Sequence, residues 1–136
     1  PDGHPTLSAA LSQLGEYFDR KRRHFDLPLD FSGATKFQRR IYERLMGIPY
    51  GRIVSYGDIA DEMGAPGAAR AVGQAVGANP LPIVVPCHRV VRSDGKLGGY
   101  SGGLRHKVAL LRIEGVAVDG HQSGSRVHPE LLRLKL

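Results

Sequence analysis

The sequence predicts a mostly helical α+β chain: one domain, or one domain with a fragment of a second. Three observations lead there. Apolar residues recur three and four apart in three separated segments, the spacing of one buried helix face. Two segments open on a Ser or Thr followed three residues later by Gln or Asp and close on Gly, which are helix start and stop signals. Strict in–out alternation, the mark of a half-buried strand, is clear in one short run. At 136 residues the chain can bury a real core.

The elements follow in order. Leu7, Leu11, Leu14 and Phe18 place a helix over 6–18 with one buried stripe. Arg20-Lys21-Arg22-Arg23 reads as a solvated basic run or as a phosphate contact. Phe25, Leu27, Leu29 and Phe31 alternate, but Pro28 removes a ladder donor, so the run is an edge strand or an extended connector. Thr35 and Gln38 form a capping box for a helix whose face is Phe37, Ile41 and Leu45, stopped by Gly47 and Pro49. Tyr50-Gly51 is a turn, and Arg52-Ile53-Val54 is a short extended piece.

Ser55 and Asp58 cap a second short helix over 56–63, closed by Gly64. Pro66 places the start of a third helix near its first turn, and that helix runs to about Gly77. The pair reads as a helix-turn-helix. The third helix is rich in Ala and Gly, with Arg70 and Gln74 as its long polar side chains. Such a helix either packs closely inside the protein or lies close on a groove into which Arg70 projects; the pattern leaves both open.

Asn79-Pro80-Leu81-Pro82 is a rigid link, and Ser93-Asp94-Gly95 is a hairpin turn flanked by Val90-Val91-Arg92 and Lys96-Leu97. The glycine-rich loop 98–103 lacks the pattern of a nucleotide-binding P-loop. Leu104, Val108 and Leu111 mark a last helix ending at Glu114-Gly115. Beyond Val116 the chain is polar and loop-like until Pro129-Glu130-Leu131-Leu132, which reads as a short helix.

Net charge is +6. That suits a polyanionic partner such as nucleic acid, or is plain solubility charge. A single cysteine excludes an intramolecular disulfide and points to a reducing, intracellular setting. No signal peptide is visible, and no apolar run approaches the roughly 20 residues of a membrane span. The chain begins at Pro1 rather than Met, which points to a missing upstream piece. No Cys/His cluster has metal spacing, so no metal site is expected.

The chemistry centres on Pro86-Cys87-His88-Arg89-Val90. A free thiol, with a pKa of about 8.5, is mostly protonated at neutral pH and needs a base to become a nucleophile. An isolated Cys is as readily a buried packing residue. Residue pattern alone does not decide between the two.

Taken together, Arg70-Ala71-Val72-Gly73, Asn79-Pro80, Pro86-Cys87-His88-Arg89-Val90, Gly99-Tyr100-Ser101-Gly102-Gly103-Leu104, Leu110-Leu111 and Glu114-Gly115 closely resemble the O6-alkylguanine-DNA alkyltransferases. These are also called methylated-DNA–protein-cysteine methyltransferases. The resemblance covers about 7–115. It implies a winged helix-turn-helix alkyltransferase domain over 33–115, preceded at 1–32 by the end of a ribonuclease H-like N-terminal domain and followed by a tail at 116–136.

The resemblance also implies roles. Cys87 would accept the alkyl group, and His88 would take its proton through a water. Glu114 would orient the imidazole, and Asn79 would fix the turn and join this network. Tyr56 would donate toward guanine N3. Val90, Tyr100, Ser101 and Gly102 would form the base pocket. Arg70 would fill the gap left in the duplex, with Ala69, Ala71, Gly73, Gln74 and Ser55 beside it on the DNA.

The implied reaction is single-turnover transfer from O6-alkylguanine, with O4-alkylthymine beside it, in double-stranded DNA after base flipping through the minor groove. It implies no cofactor, no membrane, a monomer, and a cytoplasmic, nucleoid-associated protein (nuclear in a eukaryote). Three rivals remain in view. A non-catalytic alkyltransferase-like damage sensor would lack the cysteine. A winged-helix regulator would carry long polar side chains on the third helix and a dimerisation element. A Cys–His hydrolase would need an oxyanion site and would turn over repeatedly.

Overall fold

The computed structural model describes residues 5–100, 102–120, 125–128 and 131–132. It is helix-rich with few strands, and its chain forms two compact units, Pro1–Gly33 and Ala34–Leu136. Among the described residues no helix is long and apolar enough to cross a membrane.

In the first unit, α1 spans Pro5–Phe18. Its buried side is not the expected stripe: Leu7, Leu11 and Phe18 are exposed and Tyr17 is fully buried. Two local ties set this rotation. The Gln13 side chain donates to the Asp26 carbonyl at 3.0 Å and accepts from the Asp26 amide at 2.9 Å. The Tyr17 ring meets Phe18 edge-on at 5.4 Å and Phe25 at 5.6 Å. Residues 25–31 form no strand among the described residues, so this alternating run is an extended connector, as Pro28 allows.

The second unit carries the site. α2 (Lys36–Met46) begins on a reciprocal capping box between Thr35 and Gln38 and buries Ile41, Tyr42 and Leu45. β1 (Val54–Ser55) leads into α3 (Tyr56–Glu62), where Ser55 and Asp58 form a second capping box. α4 spans Ala69–Gly77. It starts three residues later than Pro66 suggests, because Gly67 adopts φ +85°, a left-handed conformation that cannot open a right-handed helix. α4 packs on α3 and α2, and the Tyr42 hydroxyl donates to the Ala75 carbonyl at 3.2 Å.

The Ser93-Asp94-Gly95 turn closes through Gly95 N–H to the Arg92 carbonyl at 2.9 Å, with Gly95 at φ +89°. Its flanks meet in one backbone bond, Arg92 N–H to the Lys96 carbonyl at 2.8 Å, and the strand pairing of Val90 and Val91 goes elsewhere. β2 (Val90–Val91) pairs instead in parallel with β1, Val54 opposite Val90 and Ser55 opposite Val91, while Lys96 bridges Arg126. Both valines are fully buried, so a central position suits them better than an exposed hairpin.

α5 spans Leu104–Ile113. Beyond it the chain is not simply polar loop: β3 (Val118–Asp119) pairs antiparallel with β4 (Arg126–Val127). Val116, Val118 and Val127 join Ile53, Val91, Leu97, Val108 and Leu111 in one core cluster. Burying each such side chain is worth about 1.5–3 kcal/mol. Pro129 and Glu130, the start of the expected terminal helix, lie outside the described residues.

Candidate active site

The site grows from a strained loop. Asn79, at the end of α4, accepts from Leu81 N–H at 2.9 Å and donates to the Val85 carbonyl at 2.8 Å. This clasp holds Ile83 at φ +76°, a costly conformation for a β-branched residue and one that persists only where its surroundings impose it. Cys87 N–H then bonds the Val85 carbonyl at 2.8 Å, and Cys87–Arg89 form one 3-10 turn, η1.

Cys87 is only 3% exposed, yet it lines a cleft of about 540 Å3 together with Tyr56, Arg70, Gly73, Gly99 and Tyr100. That volume fits a small-molecule or base-sized ligand. Burial pushes the thiol pKa up; hydrogen bonds from Asn79 and Tyr100 and the charge of Lys107 offset this only in part. The sulfur is therefore a protonated thiol at rest and needs a base.

The next residue in the chain belongs to an imidazole–carboxylate pair. His88 is fully buried, and its Nε2 meets Glu114 Oε2 at 2.7 Å. Burial lowers the imidazole pKa, with Arg89 and Lys107 adding to the effect against the opposing Glu114. A neutral His88 that donates from Nε2 keeps its acceptor lone pair on Nδ1, and Nδ1 is buried with no hydrogen-bond partner among the described residues.

Burial alone would raise the Glu114 carboxyl, but hydrogen bonds from His88 and Arg89 outweigh it and hold the pKa at about 2. Arg89 grips the carboxylate with two prongs, Nε to Oε1 at 2.8 Å and Nη2 to Oε2 at 2.9 Å. It also donates from Nη1 to the Ile48 carbonyl at 2.6 Å. Gly51 N–H adds a bond to Oε1 at 3.1 Å. A thiol, a neutral imidazole and a fixed carboxylate make up the parts of an activated nucleophile.

The remaining expected site residues fall as follows. Tyr56 lines the cleft, and burial raises its phenol to about 12. Tyr100 also lines the cleft, and burial raises its phenol further. Val90 is fully buried in β2 and is not among the described lining residues. Gly102 is exposed, and a Cβ there would stand 3.0 Å from the Tyr100 ring. Ser101 lies outside the described residues. Arg70, Gln74, Ala69 and Gly73 border the cleft from α4, and Ala71 is exposed beside them. Ser55, expected on the DNA, is only 3% exposed and spends its hydroxyl on the Asp58 amide, so it serves as a helix cap.

Sequence reasoning passed over two residues. Arg89 stands in the sequence only as part of a motif, yet it makes a two-pronged bond to Glu114. Lys107 is fully buried on the apolar side of α5. Its signal was a cation set between Leu104, Val108 and Leu111.

Comparison with known proteins decides the family. Residues 36–116 match the model of the 6-O-methylguanine DNA methyltransferase DNA-binding domain. The chain belongs to this family. Its relatives include the methylated-DNA–protein-cysteine methyltransferase of Mycobacterium tuberculosis (strain ATCC 25618 / H37Rv), 55% identical over 108 residues, covering 79% of this chain and 65% of that protein. The protein of the same name from Salmonella typhimurium is 48% identical over 119 residues, covering 84% and 70%. Among solved structures, that of Mycobacterium tuberculosis OGT in complex with DNA matches with a TM-score of 0.77 at 54% identity, covering 79% of this chain and 66% of that one. The chain thus spans 65% of the length of its mycobacterial relative.

Proposed function

We propose that this alkyltransferase-family chain repairs DNA by direct reversal, moving the alkyl group of O6-alkylguanine to Cys87. The observation that carries the reading is that Cys87 lines a base-sized cleft together with the exposed Arg70 of α4, while the next residue, His88, is paired with Glu114. In the reaction His88 takes the thiol proton through a water, using Nδ1. The sulfur–carbon bond forms as the carbon–oxygen bond breaks, and the guanine anion takes one proton from solvent. Tyr56 donates a hydrogen bond to guanine N3 as charge builds there. The thioether stays on Cys87, so each molecule acts once.

The target carbon is out of reach in a stacked duplex, so the base must leave the helix, at a cost of a few kcal/mol. The α3–turn–α4 pair is the helix-turn-helix that meets DNA. Small side chains on α4 let it lie close in the minor groove, which suits binding with little sequence preference. Residues 1–32 are the end of an N-terminal α/β domain of ribonuclease H type, and a monomer suffices. A cysteine at position 87 disfavours a non-catalytic damage sensor, and the short side chains of α4 disfavour a sequence-reading regulator.

Counting methyl groups transferred from a methylated oligonucleotide tests the proposal. One per molecule is expected. None would favour a sensor or regulator, and continuing release would favour a hydrolase. Arg70→Ala should slow repair of duplex DNA by roughly tenfold or more while leaving reaction with free O6-alkylguanine nearly intact, since only the duplex has a gap to fill. Equal losses on both substrates would remove the finger role from Arg70.

A further inference from the structure

Beyond its charge acting on the Cys87 thiol, the buried cation Lys107 is held in a cage of its own. It is 0% exposed, which is unusual for a lysine and calls for a set of partners. Its Nζ donates to the Val90 carbonyl at 2.7 Å and to the Leu97 carbonyl at 2.5 Å. It lies 3.5 Å from both the Gly99 carbonyl and the Tyr56 hydroxyl oxygen, and 5.8 Å from the centre of the Tyr56 ring. These carbonyls come from β2 and from the loop that walls the cleft.

An ammonium has three donors and no acceptor. Toward Lys107, therefore, the Tyr56 oxygen can only accept, and its own hydrogen must point elsewhere. Gly98 closes another side: a Cβ built there would meet the Tyr56 oxygen at 3.0 Å. Tyr56 also lines the cleft, which gives that hydrogen a direction away from the ammonium. We propose that Lys107 is a positioning residue that accepts no substrate contact itself but orients the Tyr56 hydroxyl, so that its hydrogen faces the ring nitrogen of a leaving purine in the cleft. The proposal rests on the alkyl-transfer reading and deepens it.

The arrangement depends on charge. Burial lowers the Lys107 pKa to about 8, with Cys87 pulling the other way. Once the amine is neutral it can accept from the phenol, and the Tyr56 hydrogen turns away from the cleft. The titratable groups around it are Tyr56 of α3 and Cys87 and His88 of η1, with Tyr100 across the cleft. Both phenols titrate far above this range.

The test compares two reactions of Cys87 in the full chain. One is methyl transfer from an O6-methylguanine duplex; the other is alkylation by iodoacetamide, whose iodide leaves without help from a proton donor. Their rate ratio cancels changes in thiolate population, including those from Cys87 and His88. Lys107→Met should lower the ratio by roughly tenfold or more, Tyr56→Phe should do likewise, and the double variant should fall no further, because the two side chains act as one unit. Additive losses, or an unchanged ratio in Lys107→Met, would overturn the proposal.

Tyr56→Phe deletes a single oxygen and carries the test if Lys107→Met does not fold. The wild-type ratio should then fall as pH rises through about 8, while that of Tyr56→Phe stays flat. A flat wild-type ratio would overturn the proposal. A wild-type chain that iodoacetamide labels but that takes no methyl group would sink the repair reading beneath it.

Discussion

Cys87→Ala will abolish methyl transfer while leaving duplex binding within about threefold of wild type. The loss should be total, because no other thiol exists in the chain. Binding should survive because the groups facing DNA in this reading, Arg70 and Gln74 on α4, are exposed and do not depend on the sulfur. Stability should change little. The side chain is small, it borders the cleft, and removing its sulfur leaves a void that solvent can enter. Transfer is read by mass spectrometry after incubation with methylated oligonucleotide, and binding by fluorescence anisotropy with the same duplex. An alanine variant that still gains one methyl group would move the acceptor elsewhere. A variant that loses DNA affinity in proportion to transfer would make Cys87 a structural residue.

What the sequence made legible was local or chemically singular. Both capping boxes were readable because each is closed between residues three apart, Thr35 with Gln38 and Ser55 with Asp58. The apolar face of α5 was readable because its period lies within one element. Cys87 and His88 were singled out by family resemblance, since residue pattern alone left a lone cysteine open to a packing role.

What stayed hidden was set by distant contacts. The Ser93-Asp94-Gly95 turn is where its residues place it, but nothing near Val90 announces the pairing of that strand with Val54. The turn of α1 onto Tyr17 depends on Gln13 reaching Asp26, and periodicity alone cannot register a side chain that mimics a ladder. Val116, Val118 and Val127 look like scattered apolar residues in a polar stretch until the β3–β4 pair places them in the core. Glu114 lies 26 residues from His88; family resemblance, not spacing, singled it out. Resemblance did not single out Lys107, whose partners are backbone carbonyls that carry no sequence signature.

Glu114→Gln should damage both stability and chemistry, for separable reasons. The carboxylate is the hub for Arg89, His88 and Gly51. A glutamine keeps the shape but loses the charge, which leaves the buried Arg89 guanidinium without its counter-ion. Breaking a buried pair in this way costs about 3–5 kcal/mol. The pH dependence carries a definite sign. The folded carboxyl sits at about 2 against an ordinary 4.5, so its stabilisation is fully present above pH 4.5 and drains away as pH falls toward 2. Wild type should lose on the order of 3 kcal/mol across that window through this group, and the variant should lack that slope. Urea unfolding at several pH values reads it directly. For the chemistry, the amide nitrogen of glutamine can present a donor to His88 Nε2, which moves the imidazole hydrogen to Nδ1 and removes the base. Methyl transfer should fall roughly 10²–10⁴-fold even where the variant is fully folded. A folded Glu114→Gln that repairs at close to the wild-type rate would show that the thiol loses its proton by a route that does not pass through His88.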